Sequence, residues 1–339
     1  MSSVNYKNLG PLIINIDGMS LHDEERALLK HDLIGGIILF SHNYKSKTQL
    51  HSLINDIKSV KDNILITIDH EGGRVQRLIN DFTHLPSFED ISNIKNHDEM
   101  ISKAYDSGYI GSLELSEIGI DINYSPVVDI NHDKSNKLLK GRTFGSDIKS
   151  IIALSDSYIR GCIDGSILPV LKHFPGHGRV TTDSHTEACV SNIDYKTLSE
   201  SDILPFKEIH SRFPEFNIPI MTNHLIYTEI DEYITTYSKK WLYELSQSIF
   251  TNKPLFISDD IEMYSATKHN NKILSCERRV LLALSAGCRM IIATTMQDRE
   301  IIKNKESYKY ITTNYITTNI IEHYEKNRDN MLDIKLPRV

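Results

Sequence analysis

The sequence has no long apolar run and no beginning of the kind that directs export. Although 40% of its 339 residues are hydrophobic, it contains no stretch of about 18 consecutive apolar residues, as a membrane-spanning helix would require. The opening segment MSSVNYKNLG has no charged region followed by an apolar one, which is the pattern of a secretory signal. We therefore expect a protein of the cytoplasm with no membrane partner.

Charge and cysteine content narrow the possible partners further. The net charge is −7, and Lys and Arg form no continuous basic block of the kind that follows nucleic-acid phosphates. The four cysteines, Cys162, Cys189, Cys276 and Cys288, stand far apart, without the close pairs of a zinc or redox motif. We expect reduced structural thiols and no nucleic-acid partner.

The chain also lacks the features that would divide it or assign it to a common enzyme class. Its 10 prolines and 16 glycines are scattered, without a linker, a low-complexity run or a short internal repeat. No P-loop, GxGxxG or GxSxG motif appears, which argues against the commonest nucleotide-binding and serine-hydrolase functions. We expect a single catalytic domain over residues 1–339 that acts as a monomer.

What the sequence does contain is a regular alternation of apolar runs and amphipathic segments. Segments 47–60, 147–163 and 275–287 are typical of amphipathic helices between strands. The apolar runs suit parallel strands buried on both faces, and there are eight: 12–16, 36–40, 64–68, 122–128, 168–172, 218–222, 254–258 and 290–294. This alternation predicts an α/β fold, a single (β/α)8 TIM-type barrel, with a doubly wound open sheet as the alternative.

Reactive side chains follow several of these apolar runs. Catalytic groups of a barrel lie where its strands end and the loops begin. The strand ends carry Asp69, Asp129, Lys172 with His173, Asn223 with His224, and Asp259. We therefore expect an active site assembled from several strand ends.

The segment KHFPGHGRVTTDSHTE (172–187) is the densest cluster of reactive side chains, and it allows three interpretations. Its histidines, His173, His177 and His185, could bind a metal with Asp183, although the spacing matches no familiar zinc or iron motif. They could instead only close the loop. In the third interpretation Asp183 orients His185 and favours its protonated form, so that the ring donates a proton near neutral pH and accepts one afterwards.

Two further segments carry charged groups at strand ends. IDHEGGRVQR (68–77) places Asp69 and Arg77 around paired glycines, which indicates either a charged turn or contacts to sugar hydroxyls. GRTFGSD (141–147) offers Arg142 between small residues, a weak signal when taken alone. These three side chains are candidates for substrate binding.

The segment PLFISDDIEM (254–263) places two carboxylates directly after an apolar run. Because neighbouring residues of an extended strand point to opposite faces, Asp259 and Asp260 should not both enter the site. We favour Asp259 as the group at the barrel mouth. Asp260 is expected to cap the following helix by accepting backbone N–H groups.

These motifs together resemble glycoside hydrolase family 3, in particular its single-domain β-N-acetylglucosaminidases of bacterial cell-wall recycling. The resemblance runs from GGIILFSHNY (35–44) to LSAGCRMI (284–291) in matching order, and KHFPGHG followed by DSH is its most specific part. It implies catalytic roles for Asp259 as nucleophile and for His185 as general acid/base with Asp183 as its partner. It further implies a substrate-binding set of Asp69, Arg77, Arg142, Lys172 and His173.

The resemblance also implies a reaction. The substrate would be a muropeptide whose non-reducing N-acetylglucosamine is β-linked to anhydro-N-acetylmuramic acid. Asp259 would form a covalent glycosyl ester that water then hydrolyses, with retention of configuration and without a metal or organic cofactor. Substrate-assisted hydrolysis, phosphorolysis, a metal-dependent hydrolase and a degenerate sugar-binding barrel remain alternatives.

The sequence departs from the family pattern near its last apolar run. Arg289 stands where the family usually has aspartate after AGC, and Thr294 and Thr295 replace the usual polar residues. These positions lie outside the catalytic motifs. We expect an effect on local packing or affinity and no loss of chemistry.

The acid/base interpretation of the histidine-rich segment predicts that chelation leaves activity unchanged. EDTA should not alter the rate of hydrolysis of a chromogenic N-acetylglucosaminide, because the imidazoles are assigned to proton transfer and sugar contact. Loss of activity that zinc or another divalent ion restores would favour the metal interpretation instead.

Overall fold

The computed structural model describes residues 2–132, 137–180, 189–270, 272–297, 300–301, 307–327 and 332–338. Its core is a ring of parallel strands, which we number β1 to β8 in chain order. They are β1 (Leu12–Ile14), β2 (Ile34–Leu39), β3 (Leu65–Ile68), β4 (Ile122–Asn123), β5 (Leu168–Pro169 and Leu171–Phe174), β6 (Ile220–Thr222), β7 (Phe256–Ser258) and β8 (Met290–Ile292). Each coincides with one of the eight apolar runs.

Strand pairing closes the ring. Every strand pairs in parallel with the next, and β8 pairs in parallel with β1. The first segment of β5 pairs with β4 and its second segment pairs with β6, so that the break at Val170 does not open the sheet. The predicted (β/α)8 barrel is confirmed, and the open sheet is excluded because it would leave two unpaired edges.

Helices connect successive strands around the outside of the ring. The three helices named from the sequence are found at Lys47–Val60, Ile148–Asp164 and Cys276–Ala286. The others are Asp23–Leu29, Phe88–Ser92, His97–Glu117, Tyr195–Ser199, Leu204–Arg212, a π-helix at Lys240–Leu245 that continues into Ser246–Ile249, Ser307–Tyr315 and Thr318–Lys326. No helix of the described ranges combines the length and the apolar character needed to cross a membrane.

The barrel interior and the space between strands and helices form one continuous apolar core. The whole of Ile34–Leu39 is buried, as expected for a strand covered on both faces. Two outer helices approach closely through glycines: a Cβ on Gly108 would lie 2.1 Å from the carbonyl oxygen of Tyr158, and one on Gly161 would lie 2.2 Å from that of Tyr105. Small residues therefore set the distance between the helices that follow β3 and β4.

Short pairs of strands lie at the two ends of the barrel. Ser2–Leu9 and Leu332–Arg338 form an antiparallel ribbon beside the N-terminal ends of the barrel strands. The remaining pairs lie in loops after the strands: His70–Gly72 with Val75–Gln76, Cys189–Ser191 with Leu225–Tyr227, Lys268–His269 with Lys272–Ile273, and Met296–Gln297 with Glu300–Ile301. The loop pairs after β3 and β7 border the cavity described next.

Candidate active site

A cavity of about 320 Å³ opens at the C-terminal ends of the barrel strands. Six residues singled out in the sequence line it: Asp69, Arg77, Arg142, Lys172, His173 and Asp259. The other two, Asp183 and His185, belong to residues 181–188, which lie outside the described residues. The closed ring thus brings together groups that are up to 190 positions apart in the chain (69 to 259).

A glycine hairpin after β3 positions the first pair of cavity residues. His70–Gly72 pairs with Val75–Gln76, and this turns the chain back so that Arg77 NH2 donates to Asp69 Oδ2 at 3.4 Å. Gly72 has a φ of 99°, and a Cβ there would lie 2.5 Å from the carbonyl oxygen of Pro86. The tight backbone passage predicted from the paired glycines is therefore present.

A buried network of charges forms the floor of the cavity on the β3 to β5 side. Lys172, which is 1% exposed, places Nζ 2.7 Å from Asp69 Oδ1 and 2.7 Å from Glu71 Oε1. Arg142 binds Glu71 through two hydrogen bonds, from Nε to Oε2 at 2.9 Å and from NH2 to Oε1 at 2.7 Å. With Arg77, three cations face two carboxylates, an arrangement suited to hydroxyl groups that both donate and accept.

The network fixes the protonation of its carboxylates. Burial alone would raise the pKa of Asp69, but Lys172 and Arg77 outweigh it and hold that pKa well below the ordinary value. Burial opposes ionisation of Glu71 in the same way, yet Arg142 and Lys172 lower its pKa to about 2. Both groups are therefore ionised acceptors at neutral pH.

His173 is oriented by the buried Asp129, which follows the apolar run 122–128 that contains β4. Its Nδ1 lies 2.8 Å from Asp129 Oδ2, while Asp129 Oδ1 accepts the backbone N–H groups of His173 at 3.1 Å and His177 at 2.8 Å. Burial lowers the pKa of His177 to about 4, so that this ring is neutral at physiological pH. Asp129 thus holds both the β5 end and the start of the histidine-rich segment.

The expectation that only Asp259 enters the site is wrong, because both aspartates line the cavity. Strand β7 ends at Ser258, so the two residues lie beyond the strand and its alternation of faces no longer applies. The backbone N–H of Asp259 donates to the carbonyl of Thr222 on β6 at 3.2 Å. The next backbone N–H, of Asp260, donates to Asp259 Oδ1 at 2.8 Å and so fixes that carboxylate.

Asp260 does not cap a helix as expected; it joins the ends of β7 and β8. Its Oδ1 accepts the N–H of Glu262 at 3.0 Å and that of Thr294 at 3.3 Å, and its Oδ2 accepts the Thr294 hydroxyl. Burial raises the pKa of Asp260 to about 7. Thr294 therefore has a structural function that its departure from the family pattern did not suggest, and Thr295 similarly bonds Asn15 through Oγ1.

The remaining polar residues at strand ends support the loops and do not line the cavity. Asn223 donates from Nδ2 to the carbonyl of His173 at 3.3 Å, and His224 Nδ1 lies 2.9 Å from Thr236 Oγ1. Arg74 donates from Nε to the carbonyl of Lys140 at 2.9 Å. These contacts hold the β3 and β6 loops in place.

The Arg289 departure lies at the opposite end of the barrel. Its backbone N–H donates to the carbonyl of Phe256 at 2.8 Å, one residue before β8 begins, so the pairing of β7 with β8 is intact. Its side chain lines a separate cavity of about 360 Å³ beside helix Thr318–Lys326. The substitution is therefore remote from the candidate active site.

Sequence reasoning missed three acidic residues of the site. Glu71 follows Asp69 by two positions, and residues at this spacing in an extended segment share a face, so the motif itself carried the signal. Asp260 was assigned to another function. Glu262, which also lines the cavity, carried no signal in the sequence, because its importance depends on contacts with two helices distant in the chain.

Within the described ranges no group of three or more His, Cys, Asp or Glu side chains is arranged to hold a metal ion. Among the described residues, His173 is the one histidine that lines the cavity, and its Nδ1 already lies 2.8 Å from Asp129 Oδ2. Asp183 and His185 lie outside those ranges. The absence of a metal or organic cofactor from the reaction therefore stays a prediction.

Ionised acceptors, buried cations and a fixed carboxylate at the strand ends of a barrel suit the binding and cleavage of a carbohydrate, and comparison with known proteins identifies this class. Residues 7–323 match the model of the glycosyl hydrolase family 3 N terminal domain. A beta-hexosaminidase of Tolumonas auensis is 33% identical over 287 residues, which cover 84% of this chain and 83% of the relative.

Solved structures give the same result. The crystal structure of NagZ from Neisseria gonorrhoeae in complex with N-trifluoroacetyl-D-glucosamine superposes with a TM-score of 0.77 at 27% identity, over 94% of each chain. The same protein in complex with a zinc ion gives 0.76 at 26% identity, again over 94% of each chain. The chain belongs to glycosyl hydrolase family 3 and is a glycoside hydrolase of the β-hexosaminidase type.

The charge network predicts a strong effect of Glu71→Gln on stability. The amide leaves Arg142 and Lys172 without their shared negative partner, and breaking a buried ion pair in this way costs about 3–5 kcal/mol of unfolding free energy. Because the folded-state pKa of Glu71 is depressed, its contribution is present above about pH 4.5 and is lost as the pH falls towards 2. Urea unfolding at pH 7 and at pH 3.5 should therefore give a difference between wild type and variant that narrows at the lower pH. Equal stability of the two proteins at pH 7 would contradict this view of the network.

Proposed function

We propose that the chain is a retaining exo-β-N-acetylglucosaminidase that removes the non-reducing N-acetylglucosamine from anhydro-N-acetylmuramyl peptides during peptidoglycan recycling. The observation that carries the proposal is the position of Asp259 in the same cavity as Asp69, Arg77, Arg142, Lys172 and His173. A carboxylate that can attack the anomeric carbon thus faces a set of groups that can hold sugar hydroxyls. The relative with bound N-trifluoroacetyl-D-glucosamine supports an N-acylated glucosamine as the sugar.

The proposed first step is glycosylation of Asp259. Its carboxylate attacks the anomeric carbon while His185, oriented by Asp183, donates a proton to the departing glycosidic oxygen. The hydrogen bond from the Asp260 N–H to Asp259 Oδ1 restrains the carboxylate before the attack. The ionised Asp69, held by Lys172 and Arg77, keeps the sugar in place without competing as a base.

In the second step His185 removes a proton from water, which attacks the glycosyl ester and releases the sugar with its configuration retained. Asp183 and His185 belong to residues 181–188, which lie outside the described residues, so their roles in this scheme rest on the resemblance of the DSH motif to the family. No metal or organic cofactor is needed in this scheme.

Both aspartates line the cavity, so the alternation of side chains along a strand does not exclude substrate-assisted hydrolysis. That mechanism requires a carboxylate free to orient the acetamido group of the sugar. Asp260 is engaged by Thr294 and Glu262 at both of its oxygens, which favours a structural function for it. Asp259 therefore stays the nucleophile in the proposal.

The wider assignments follow from the same proposal. A role in peptidoglycan recycling implies a cytoplasmic enzyme without nucleic acid or membrane as partner, and we propose with it the single-domain, monomeric state expected from the sequence. Relative rates on a chromogenic N-acetylglucosaminide and on the matching glucoside test the sugar preference most directly. Preference for the glucoside would reject the proposal.

Replacing the nucleophile should abolish turnover without unfolding the protein. Asp259→Asn should lower kcat by about three orders of magnitude, because an amide cannot form the glycosyl ester. Asp62→Asn, at an exposed position, is the matched control and should keep full activity. In the wild type, a fluorinated substrate analogue should attach to the peptide containing Asp259, which mass spectrometry detects. More than about a tenth of wild-type activity in Asp259→Asn, or attachment elsewhere, would refute the nucleophile assignment.

The two functions proposed for His185, proton donation in the first step and proton removal in the second, can be tested separately. A dinitrophenyl glycoside needs little protonation, so His185→Ala should slow its glycosylation far less than that of a natural saccharide. Deglycosylation stays impaired, and we expect a burst of phenolate followed by a slow steady state that azide accelerates, since this anion needs no general base. Equal losses on both substrates, without a burst or azide rescue, would show that His185 is not the acid/base.

A further inference from the structure

Glu262 is a buried acidic residue of the cavity to which the proposed mechanism gives no role. It follows β7 by four positions and lines the cavity beside Asp260 and Met263. Only 4% of its side-chain surface is exposed. A carboxylate this deeply buried needs strong partners, because desolvation of an unpaired charge costs several kcal/mol.

The partners of Glu262 all bind the same oxygen. Oε1 accepts hydrogen bonds from Arg279 NH2 at 2.7 Å, from the hydroxyl of Tyr310 at 3.2 Å and from the hydroxyl of Tyr315, and Cys276 Sγ lies 3.7 Å away. These groups come from helices Cys276–Ala286 and Ser307–Tyr315. Oε2 has no hydrogen-bond partner among the residues that the structure describes. One face of the carboxylate is thus anchored, while the residue as a whole borders the cavity.

A free oxygen of a carboxylate can serve only as an acceptor, so its ligand must be a hydrogen-bond donor. The position of Glu262 narrows the choice of donor. In the ring of eight strands, β7 is diametrically opposite β3, so Glu262 faces the charge network of Asp69, Lys172 and Arg142 across the barrel mouth. Asp259 at the end of β7 must approach the anomeric carbon, C1. The substituent on C2, next to C1, is then closer to β7 than the hydroxyls held at β3 to β5.

For N-acetylglucosamine the C2 substituent is an acetamido group, with one N–H donor and an apolar methyl. The β7 to β8 side of the cavity provides matching chemistry, since Glu262 is accompanied there by Met263 and Ile292. We propose that Glu262 Oε2 accepts the acetamido N–H of the substrate and is a specificity-determining residue for 2-acetamido sugars. This inference deepens the proposed N-acetylglucosaminidase function and rests on it.

The isosteric variant Glu262→Gln tests the contact because the network dictates how the new amide is oriented. Arg279, Tyr310 and Tyr315 all donate, so the amide oxygen must face them and the amide NH2 must take the place of Oε2. A donor then opposes the acetamido N–H of the substrate. We expect kcat/KM on the 4-nitrophenyl N-acetylglucosaminide to fall by about 10- to 100-fold, because a hydrogen bond to a charged group is lost. The value on the 4-nitrophenyl 2-deoxyglucoside, which has no hydrogen-bond donor on C2, should change less than about threefold.

Two control variants distinguish loss of the hydrogen bond to the substrate from a structural effect on the protein. Tyr315→Phe removes a donor to Oε1 and disturbs the same network, but it should leave the ratio of the two kcat/KM values unchanged. Glu244→Gln makes the same chemical change at an exposed position and should change neither rate. If Glu262→Gln lowers both substrates equally, or leaves the ratio at the wild-type value, the inference is overturned.

A substrate variant tests the contact in the wild-type enzyme, which removes any dependence on folding of Glu262→Gln. The 2-O-acetyl glucoside keeps the carbonyl and methyl of the acetamide but has an ester oxygen in place of N–H. We expect the wild type to hydrolyse it about 10- to 100-fold less efficiently than the acetamide. Equal efficiency on ester and amide would overturn the inference. Failure of the wild type to hydrolyse any N-acetylglucosaminide would instead reject the proposed function.

Discussion

The candidate site depends on a single buried lysine. Lys172 lies in the second segment of β5 inside the protein, and it is tolerable there only because Asp69 and Glu71 from the β3 loop both lie 2.7 Å from its ammonium group. Glu71 in turn fixes Arg142 from the loop after β4. Strand β5 and the loops after β3 and β4 are therefore held in register by the requirement that each buried charge has a partner. The ionised carboxylates that could bind a sugar are a direct result of this constraint.

The fold could be predicted almost completely from the sequence, because a buried parallel barrel leaves a strong pattern. Its strands are apolar on both faces, and its helices carry one apolar stripe, so run length and periodicity were sufficient. The pattern could not show that β5 is interrupted at Val170, since the residues on either side of the break, Pro169 and Leu171, are both apolar and the run continues across it. The ring closes because β8 pairs with β1, and these two strands are distant in the chain. A single sequence indicates this closure only indirectly, because eight strands is the number that a barrel of this type requires.

The site was predictable where groups follow a strand directly and less so beyond the strand. Asp69, Lys172 and Asp259 were found by position alone. The alternation rule failed for Asp260, because the chain has left the strand and two consecutive side chains can then face one space. Glu262 was beyond reach for a different reason: its partners Arg279 and Tyr315 lie on separate helices, and only the folded chain brings their donors to one oxygen. Local pattern describes strands well and the loops that carry chemistry poorly.

The bond between Asp260 and Thr294 has a consequence for how such sequences diverge. Asp260 follows β7 by two positions and Thr294 follows β8 by two positions, and each satisfies polar atoms that the other would leave buried. A hydrophobic residue at position 294 would leave the buried carboxylate of Asp260 without its hydroxyl partner, and a hydrophobic residue at position 260 would leave the buried hydroxyl of Thr294 without an acceptor. A sequence in which only one of the two residues has changed is therefore destabilised. A substitution at one of these positions should therefore be tolerated best when the other position changes with it.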